Sequence, residues 1–375
     1  MSRYVLVTLI ILGIPIPASA EPGFAASKTC RACHNDIFEL WKHSLHAQSF
    51  SDPPFQAAYM QLMLEEGRDS TRMCLSCHAP AAYLSGGDEA NTSLATEGVS
   101  CSFCHAVSSV NAGNAGSLET YYNLDTSGVA YGPYPPADWG HEVRFSELHR
   151  RSELCAGCHE FANANGVMLL ETYSEWKASE YPQNEVHCQN CHMPIMYDLQ
   201  IVDHGNDPSR FVTAHEFRGG HSRINLEHAV ALETSVTRTG SALSVEVTVT
   251  NSESGHKLPT GIPIRKLVLT VAMRTPQGAE IASGRKVYRK VLCDKYGAVI
   301  ENVADMFAAA TRVYADNRIA PKESRIERFN FEIPERTPRY IIEAVLNYEY
   351  NRPVLTEESV SIQMAKNTVD SRTVE

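Results

Sequence analysis

The chain has 375 residues, of which 43% are hydrophobic and 21% are charged, and its formal net charge is −11. These values are ordinary for a globular protein of two or three domains, and they exclude a disordered, collagen-like or polytopic membrane protein. The negative charge excludes non-specific nucleic-acid binding as a leading function, because phosphate contacts require a basic surface.

An export signal is predicted at the N-terminus, over residues 1–20. Arg3 supplies a positive start, an apolar run follows over residues 5–14, and small residues end at Ala20, which is the pattern of a cleaved secretory signal. A retained membrane anchor is the alternative, but the run is shorter than the ~20 residues that span a bilayer. We therefore expect a periplasmic or extracellular protein whose mature chain has no membrane span.

Ten of the 11 cysteines form five pairs with one spacing, and a histidine follows each pair. Each pair reads C-x-x-C-H, the attachment sequence of c-type haem. The two thiols reach the two vinyl groups of one porphyrin, and the imidazole that follows binds its iron. The predicted haem-binding cysteines are Cys30, Cys33, Cys74, Cys77, Cys101, Cys104, Cys155, Cys158, Cys188 and Cys191. The predicted first iron ligands are His34, His78, His105, His159 and His192.

Other uses of paired cysteines explain this pattern less well. Disulfides across C-x-x-C are reactive and leave the five histidines unexplained, zinc sites need an even number of pairs, and a thioredoxin-like site needs a single motif beside a βαβ unit. We therefore predict five covalently attached haem c groups. All five motifs lie within residues 30–192, too short a segment to wrap each haem separately, so the haems are expected to form much of the core and to lie close together.

Each iron either takes a second axial ligand or keeps that position open. Ten histidines lie outside the motifs, and this surplus favours histidine over methionine, although a hydrogen-bonded surface residue is the alternative for any one of them. An aromatic stripe predicts a helix over residues 36–49 that carries one candidate, and a second helix is predicted over residues 144–153. The predicted second ligands are His46, His149, His215, His221 and His256.

A domain with a different periodicity follows residue 228. Residues 243–249 alternate apolar and polar side chains, residues 267–273 repeat the pattern, and two more strands are predicted over 329–333 and 340–348, with a short helix near 301–310. These elements predict an all-β antiparallel sandwich over residues 229–365, with a frayed tail over 366–375. The predicted fold class is therefore α + β multidomain: a mainly α/irregular multihaem cytochrome domain over residues 21–228, then the sandwich.

Two residues of the sandwich are candidates for special roles. Residues 251–263 form a loop rich in Gly and Pro that is long for a hairpin, and long loops in compact domains are usually functional. We expect this loop to reach the first domain and offer His256 to an iron; the alternative is an interdomain packing loop with a surface histidine. Cys293 lies at a predicted strand end, where a buried free thiol is expected.

The motifs resemble those of multihaem c-type cytochromes of the cytochrome c-554 type. The resemblance covers about residues 26–225 and rests on TCRACH (29–34), WKHSLH (41–46), EGVSCSFCH (97–105), SELCAGCH (152–159), TYSEWK (172–177) and CQNCHMP (188–194). The loop GHKLPTG (255–261) looks like part of a domain appended to such cytochromes. The resemblance implies an exported electron carrier with mostly bis-histidine haems and His46 as an axial ligand. Pentahaem nitrite reductases match less well. Their active haem has a lysine in place of the motif histidine, whereas all five motifs here end in histidine.

Three functions follow from these expectations. The first is electron transport between redox proteins outside the cytoplasm, with an acidic surface that docks transiently on basic partner patches. The second is an oxidoreductase that acts on a small nitrogen or sulfur compound at one open haem. The third is a self-associating subunit of an extracellular cytochrome filament. No catalytic residue is predicted.

Overall fold

The computed structural model describes residues 23–86, 92–114, 118–135, 140–197, 199–202, 211–334, 339–351 and 359–373. The predicted signal peptide, residues 1–20, and one of the ten spare histidines, His204, lie outside the described residues. No helix within these ranges is both long enough and apolar enough to cross a membrane.

The first domain is built from short helices joined by loops and two-stranded ribbons. The helices are α1 (Ser27–Cys30), α2 (Asn35–Lys42), α3 (Pro53–Glu66), α4 (Arg68–His78), α5 (Pro80–Ser85), α6 (Cys101–Ala106), α7 (Leu118–Tyr121), α8 (Glu153–His159), α9 (Thr172–Lys177), α10 (Cys188–His192) and α11 (Arg223–Ala229). The strands are β1 (Val107–Val110), β2 (Tyr122–Leu124), β3 (Ala130–Gly132), β4 (Val143–Phe145), β5 (Glu160–Ala162), β6 (Met168–Glu171), β7 (Ile195–Tyr197) and β8 (Phe211–Thr213). They pair as β1–β2, β3–β4, β5–β6 and β7–β8.

Four of the five cysteine pairs lie on a helical turn. The second, third, fourth and fifth motifs are contained in α4, α6, α8 and α10, whereas α1 ends at the first cysteine of the first motif. Residues three apart lie on one face of a helix. Both thiols of such a pair therefore project to the same side, as attachment to one porphyrin edge requires.

The buried apolar clusters of this domain are small and include motif residues. One cluster is centred on Phe103, Tyr121 and Tyr122 and has Cys104 and Cys158 packed at its edge. Another, centred on Tyr59 and Leu75, has Cys74 at its edge. Small clusters with motif cysteines at their edges are consistent with the expectation that haem supplies much of the core of this domain.

The second domain has the predicted sandwich architecture. Its elements are β9 (Val230–Thr239), β10 (Ala242–Asn251), β11 (Arg265–Arg274), β12 (Glu280–Cys293), β13 (Val299–Ile300), α12 (Val303–Ala308), β14 (Arg312–Asp316), β15 (Ser324–Glu332), β16 (Ile341–Asn351) and β17 (Ser359–Asp370). One sheet has the strand order β15–β10–β9, and the other has the order β13–β12–β11–β16–β17, with β14 also paired to β12. Every pairing in the two sheets is antiparallel.

The core of the sandwich follows the alternation of its sequence. The apolar side chains of β10, from Leu243 to Val249, are 0–1% exposed, and they pack in one cluster with Leu267, Leu269 and Leu346 of the facing sheet. The polar residues between them face outward because successive side chains of a strand point to opposite faces. Cys293 ends β12 and is fully buried, as predicted.

Three predicted elements are wrong in their extent. The helix predicted over residues 36–49 ends at Lys42 and continues as turns, because the chain must bend to bring the carbonyl of His46 to the amide of Val99, 2.9 Å away. The helix predicted over 144–153 is instead β4 followed by a 3₁₀-helix over Glu147–Arg150. The predicted frayed tail is ordered through Asp370, because β17 pairs with β16 along its whole length.

Candidate haem sites

Four of the five motif histidines are oriented by backbone carbonyls. Nδ1 of His34 lies 2.5 Å from the carbonyl oxygen of Ile201, Nδ1 of His78 lies 2.7 Å from that of Ser49, and Nδ1 of His105 lies 2.7 Å from that of Tyr131. Nδ1 of His192 also hydrogen-bonds a carbonyl, that of Arg218. A histidine that donates from Nδ1 keeps Nε2 as the free ligand nitrogen, which is how metal-binding imidazoles are normally oriented.

Four motif imidazoles face a second imidazole at nearly the same separation. The ring centres are 6.1 Å apart for His34 and His141, 6.2 Å for His159 and His46, 6.4 Å for His105 and His215, and 6.3 Å for His192 and His256. Imidazole nitrogens bind metals at roughly 2 Å, so two imidazoles on opposite sides of one metal ion have ring centres about 6 Å apart. The donor geometry therefore fits an iron held by two histidines.

The described residues also fit haem better than a bare metal ion. Within them, no group of three or more His, Cys, Asp and Glu side chains could hold a metal ion, so the zinc alternative has no site there. Haem brings the four nitrogens of its ring and takes one or two axial ligands from the protein. Pairs of imidazoles beside free cysteine pairs are the set that this cofactor needs.

Burial keeps the paired imidazoles neutral. Burial, helped by neighbouring histidines, lowers the pKa of His46 to about 3. Burial also lowers the pKa of His159, His215 and His256 to about 4 in each case. A neutral imidazole is the form that binds a metal ion, so these side chains are in the ligand-competent state at neutral pH.

The position of His46 is set by a close backbone approach. Gly98 has φ +62°, and a Cβ on it would lie 2.3 Å from the carbonyl oxygen of His46, so this contact requires glycine. The indole of Trp41 donates to the carbonyl of Val99 over 2.9 Å, which ties the end of α2 to the same segment. Nδ1 of His46 is buried with no hydrogen-bond partner among the described residues.

Two predicted ligands lie beside His105, and their hydrogen bonds differ. Nδ1 of His215 is 2.8 Å from the carbonyl oxygen of Thr213, which leaves Nε2 of that ring available. The ring of His149 is closer, with centres 5.7 Å apart, but its Nε2 is 3.1 Å from the carbonyl oxygen of Cys104. His215 therefore has the arrangement of the other pairs, whereas His149 packs against the backbone of the motif.

The loop over residues 252–263 reaches the first domain, as the sequence predicted. Its His256 ring lies nearly parallel to that of His192, with an angle of 15° between the planes. Nδ1 of His256 is 3.0 Å from both the hydroxyl of Ser254 and the carbonyl oxygen of Lys257. These two bonds are local to the loop, so the loop itself fixes which ring nitrogen faces His192.

His78 has a different neighbour. Its ring stacks on that of Phe55, with centres 3.9 Å apart and an interplanar angle of 14°. Of the five motif histidines it is the one that faces no second imidazole among the described residues. Burial lowers the pKa of His78, so this imidazole is also in the neutral form.

Two more spare histidines differ from the prediction: His141 faces a motif histidine although it was not predicted to do so, and His221 faces none of them in the described residues. His141 faces His34, although sequence reasoning did not select it; it lies in a loop without periodicity, and its one signal was that it is a spare histidine. His221, which was selected, stacks on Tyr350 of the second domain, with centres 5.2 Å apart and planes 6° apart.

Thiols of different motifs touch one another. Cys30 and Cys101 are hydrogen-bonded, which lowers the pKa of Cys30 to about 7 and raises that of Cys101. The same interaction joins Cys77 to Cys158 and Cys155 to Cys188, and it lowers the pKa of Cys188 to about 7. The attachment points of the first and third, second and fourth, and fourth and fifth motifs therefore adjoin.

The chain is similar in sequence and in structure to known cytochromes. The family described as cytochrome c554 and c-prime matches residues 29–106. The penta-heme cytochrome c552 from Thermochromatium tepidum is similar in structure, with a TM-score of 0.73 and 23% identity over 92% of this chain and 98% of that chain. No curated protein matches the sequence.

Two further solved structures match a smaller part of the chain. They are the C-terminal domain of wzt (TM-score 0.21, 7% identity, 38% of this chain and 71% of that one) and the ApaA protein from Bordetella pertussis (0.20, 11%, 37% and 93%). These scores are too low to support an argument. The resemblance to multihaem c-type cytochromes is confirmed by the family match over residues 29–106, and the predicted fold class is confirmed by the similarity in structure to the penta-heme cytochrome.

Proposed function

We propose that this chain, which has the fold of a multihaem c-type cytochrome, carries five covalently attached haem c groups and transfers electrons between redox proteins outside the cytoplasm. When bound, each haem supplies a one-electron couple at its iron. The protein supplies the attachment points, the axial ligands and the spacing between sites.

Four of the five proposed sites take two histidines. The pairs are His34 with His141, His105 with His215, His159 with His46, and His192 with His256. The fifth site has His78 as its motif ligand. His149 is left out because its Nε2 hydrogen-bonds the backbone, and His221 is left out because it stacks on Tyr350.

The four facing imidazole pairs carry the proposal, and the proximity of thiols from different motifs adds to them. Cys30 adjoins Cys101, Cys77 adjoins Cys158, and Cys155 adjoins Cys188. Cys104 lies close enough to affect the pKa of both Cys155 and Cys158, so the third and fourth motifs are neighbours as well. The attachment points thus form one connected series, first–third–fourth–fifth, with the second joined at the fourth.

The first and fifth motifs, at two of the three ends of this series, each have an exposed cysteine. Cys33 of the first motif and Cys191 of the fifth are exposed, whereas the cysteines of the other motifs are half-buried. Electrons that enter or leave a protein must do so at an exposed site, so this arrangement favours a carrier with two docking ends. The net charge of −11 favours partners with basic docking surfaces, and their association rate is then sensitive to salt.

The proposal is tested on the mature protein isolated from an exporting host. Intact-mass measurement is expected to show five covalent haems and loss of residues 1–20, and rapid mixing with a small reductant is expected to reduce all five haems. Fewer than five haems in a fully matured sample would overturn the assignment of the motifs. Reduction that stops at one or two haems would overturn the connected series.

A second function is favoured by one observation, the environment of His78. Its imidazole stacks on Phe55 and no second imidazole faces it among the described residues, so this site is the candidate for an open haem that reduces or oxidises a small nitrogen or sulfur compound. Low-temperature EPR of the oxidised protein decides between the two. A high-spin signal that shifts with nitrite or hydroxylamine supports the oxidoreductase, and purely low-spin signals exclude it.

A further inference from the structure

A buried carboxylate of the first domain binds the loop that carries His256. The Glu175 side chain, on α9, is 5% exposed. Its Oε2 accepts a hydrogen bond from the backbone N–H of Lys257 over 3.2 Å and another from the hydroxyl of Thr260 over 2.7 Å. One oxygen therefore holds the loop at two positions, Lys257 next to His256 and Thr260 three residues later.

The other oxygen of this carboxylate is bound by an arginine of the second domain. Nη1 of Arg318 lies 2.7 Å from Oε1 of Glu175, and the arginine side chain is 3% exposed. The same guanidinium nitrogen donates to the carbonyl of Pro259 over 3.5 Å. Glu175 is thus held between the loop and Arg318, and both of these belong to the second domain.

The loop is rigid with respect to its own domain. Leu258 and Ile319 exchange two backbone hydrogen bonds, of 2.9 and 3.0 Å, and the amide of Asn251 donates to the carbonyl of His256 over 2.8 Å. The sandwich therefore moves His256 as part of itself. The distance from His256 to His192 therefore depends on the junction between the two domains, where Glu175 makes its two contacts with the loop.

We propose that Glu175 is a positioning residue that sets the placement of His256 against His192 at the fifth haem site. This inference rests on the proposed function, in which His256 is an axial ligand. Ligand geometry must hold within about 0.5 Å for a site to work as built, and residues behind a ligand tune it. Removing the carboxylate leaves the contact between Thr172 and Thr260, 3.0 Å apart, to hold the loop against the first domain. The loop is then held less closely there, and His256 is placed less precisely opposite His192.

The test compares five variants of the full holoprotein, Thr260→Val among them, by EPR and by redox titration. Glu175→Ala removes both loop contacts. Glu175→Gln keeps an oxygen that accepts from Lys257 and Thr260. His256→Ala identifies the signal of the fifth haem, and Glu253→Ala is the control, since that carboxylate lies on the same loop but is 68% exposed.

The expected result is a graded one. His256→Ala removes one low-spin signal, and Glu175→Ala converts part of that same signal to high spin and shifts its midpoint potential. Glu175→Gln restores most of the low-spin signal, and Glu253→Ala leaves all signals as in the wild type. Thr260→Val removes one of the two loop contacts of Glu175, together with the hydrogen bond between Thr260 and Thr172, and removes no charge. It gives a smaller shift in the same signal and serves as the test if Glu175→Ala fails to fold.

Two contrary results are distinguishable. If His256→Ala leaves every signal unchanged, the proposed ligand pair is wrong. If His256→Ala removes a signal that Glu175→Ala and Thr260→Val leave untouched, with lower resistance to denaturant as their sole effect, then Glu175 is structural and the positioning role is overturned.

Discussion

His192 and His256 lie in different domains, yet their imidazole ring centres are 6.3 Å apart and their planes differ by 15°. The first belongs to a cysteine motif on α10, and the second to a loop between two strands of the sandwich. Under the proposed function, a haem site shared in this way makes the second domain part of the redox unit and not a separate appendage.

His46 is expected to be required for one low-spin haem. His46→Ala should remove one low-spin EPR signal and raise the affinity of the protein for carbon monoxide, because a coordination position opens opposite His159. His43, three residues earlier and exposed, provides the matched control, and His43→Ala should leave the spectrum unchanged. Identical spectra for the two variants would contradict the pairing of His46 with His159.

His215 and His149 are expected to behave differently although both lie beside His105. His215→Ala should convert one low-spin haem to high spin, since its Nε2 is free to bind. His149→Ala should keep the low-spin signal and lower the free energy of unfolding by about 1 kcal/mol, the usual worth of a hydrogen bond. EPR and denaturant titration followed by far-ultraviolet circular dichroism measure the two effects, and a reversed pattern would exchange the roles.

Arg318 is expected to be the main electrostatic support of the domain junction. Its guanidinium pairs with Glu175 at 2.7 Å, Glu171 at 3.2 Å and Asp316 at 2.8 Å, and its side chain is 3% exposed. Arg318→Met leaves buried carboxylates unpaired and should lower the free energy of unfolding by about 3–5 kcal/mol. Arg328, which pairs with Glu246 at 2.9 Å on an exposed sheet face, is the control.

Arg328→Met is expected to change the free energy of unfolding by less than about 1 kcal/mol, because exposed ion pairs contribute little. Equal losses in the two arginine variants would show that the charges at the junction are no more important than a surface pair.

Acid is expected to weaken the junction through Asp316. Burial opposes its charge, but the hydrogen bonds and charges of Arg318 and Lys257 outweigh burial and hold the pKa of this carboxyl well below its usual range. The unfolded chain therefore binds a proton first as the pH falls, and the stabilising contribution is complete above the unfolded pKa of about 4 and is lost below it. Glu171 and Lys290, in the same cluster, also face this group.

Asp316→Asn removes this dependence. At pH 7 the variant should unfold more easily than the wild type by about 1–3 kcal/mol, as expected for hydrogen bonds to a charged group. The difference should shrink as the pH is lowered from 4 toward 2. Denaturant titrations at each pH measure it, and a difference that stays constant over this range would exclude Asp316 as the titrating group.

Gly98 is expected to tolerate no side chain. Gly98→Ala forces φ +62° on an L-residue and brings its Cβ to 2.3 Å from the carbonyl oxygen of His46, so the free energy of unfolding should fall by about 1–3 kcal/mol. The same variant should broaden the EPR signal of the haem that His46 binds. Gly113→Ala, where a Cβ meets nothing within 4 Å, is the control.

In this chain the sequence predicts motifs whose residues are close together along the chain better than it predicts which distant histidines face each other. The C-x-x-C-H spacing identifies the motif ligands because attachment depends on residues within one helical turn. The approach of His256 to His192 was predictable because this histidine is alone on an unusually long loop. His141 was not, because its loop has no period and its approach to His34 depends on the fold of the intervening chain. The helix predicted around His149 was wrong because residues 143–145 pair with β3 instead.

The contacts between Cys30 and Cys101, Cys77 and Cys158, and Cys155 and Cys188 also bear on how the protein matures. In an oxidising compartment, adjacent thiols that are not yet thioether-linked readily form disulfides. Each such bridge would occupy cysteines from two motifs at once and block two attachments with one error. The apoprotein must therefore be kept reduced until attachment is complete, and peptide mapping of chains that fail to mature is expected to recover these three cross-links.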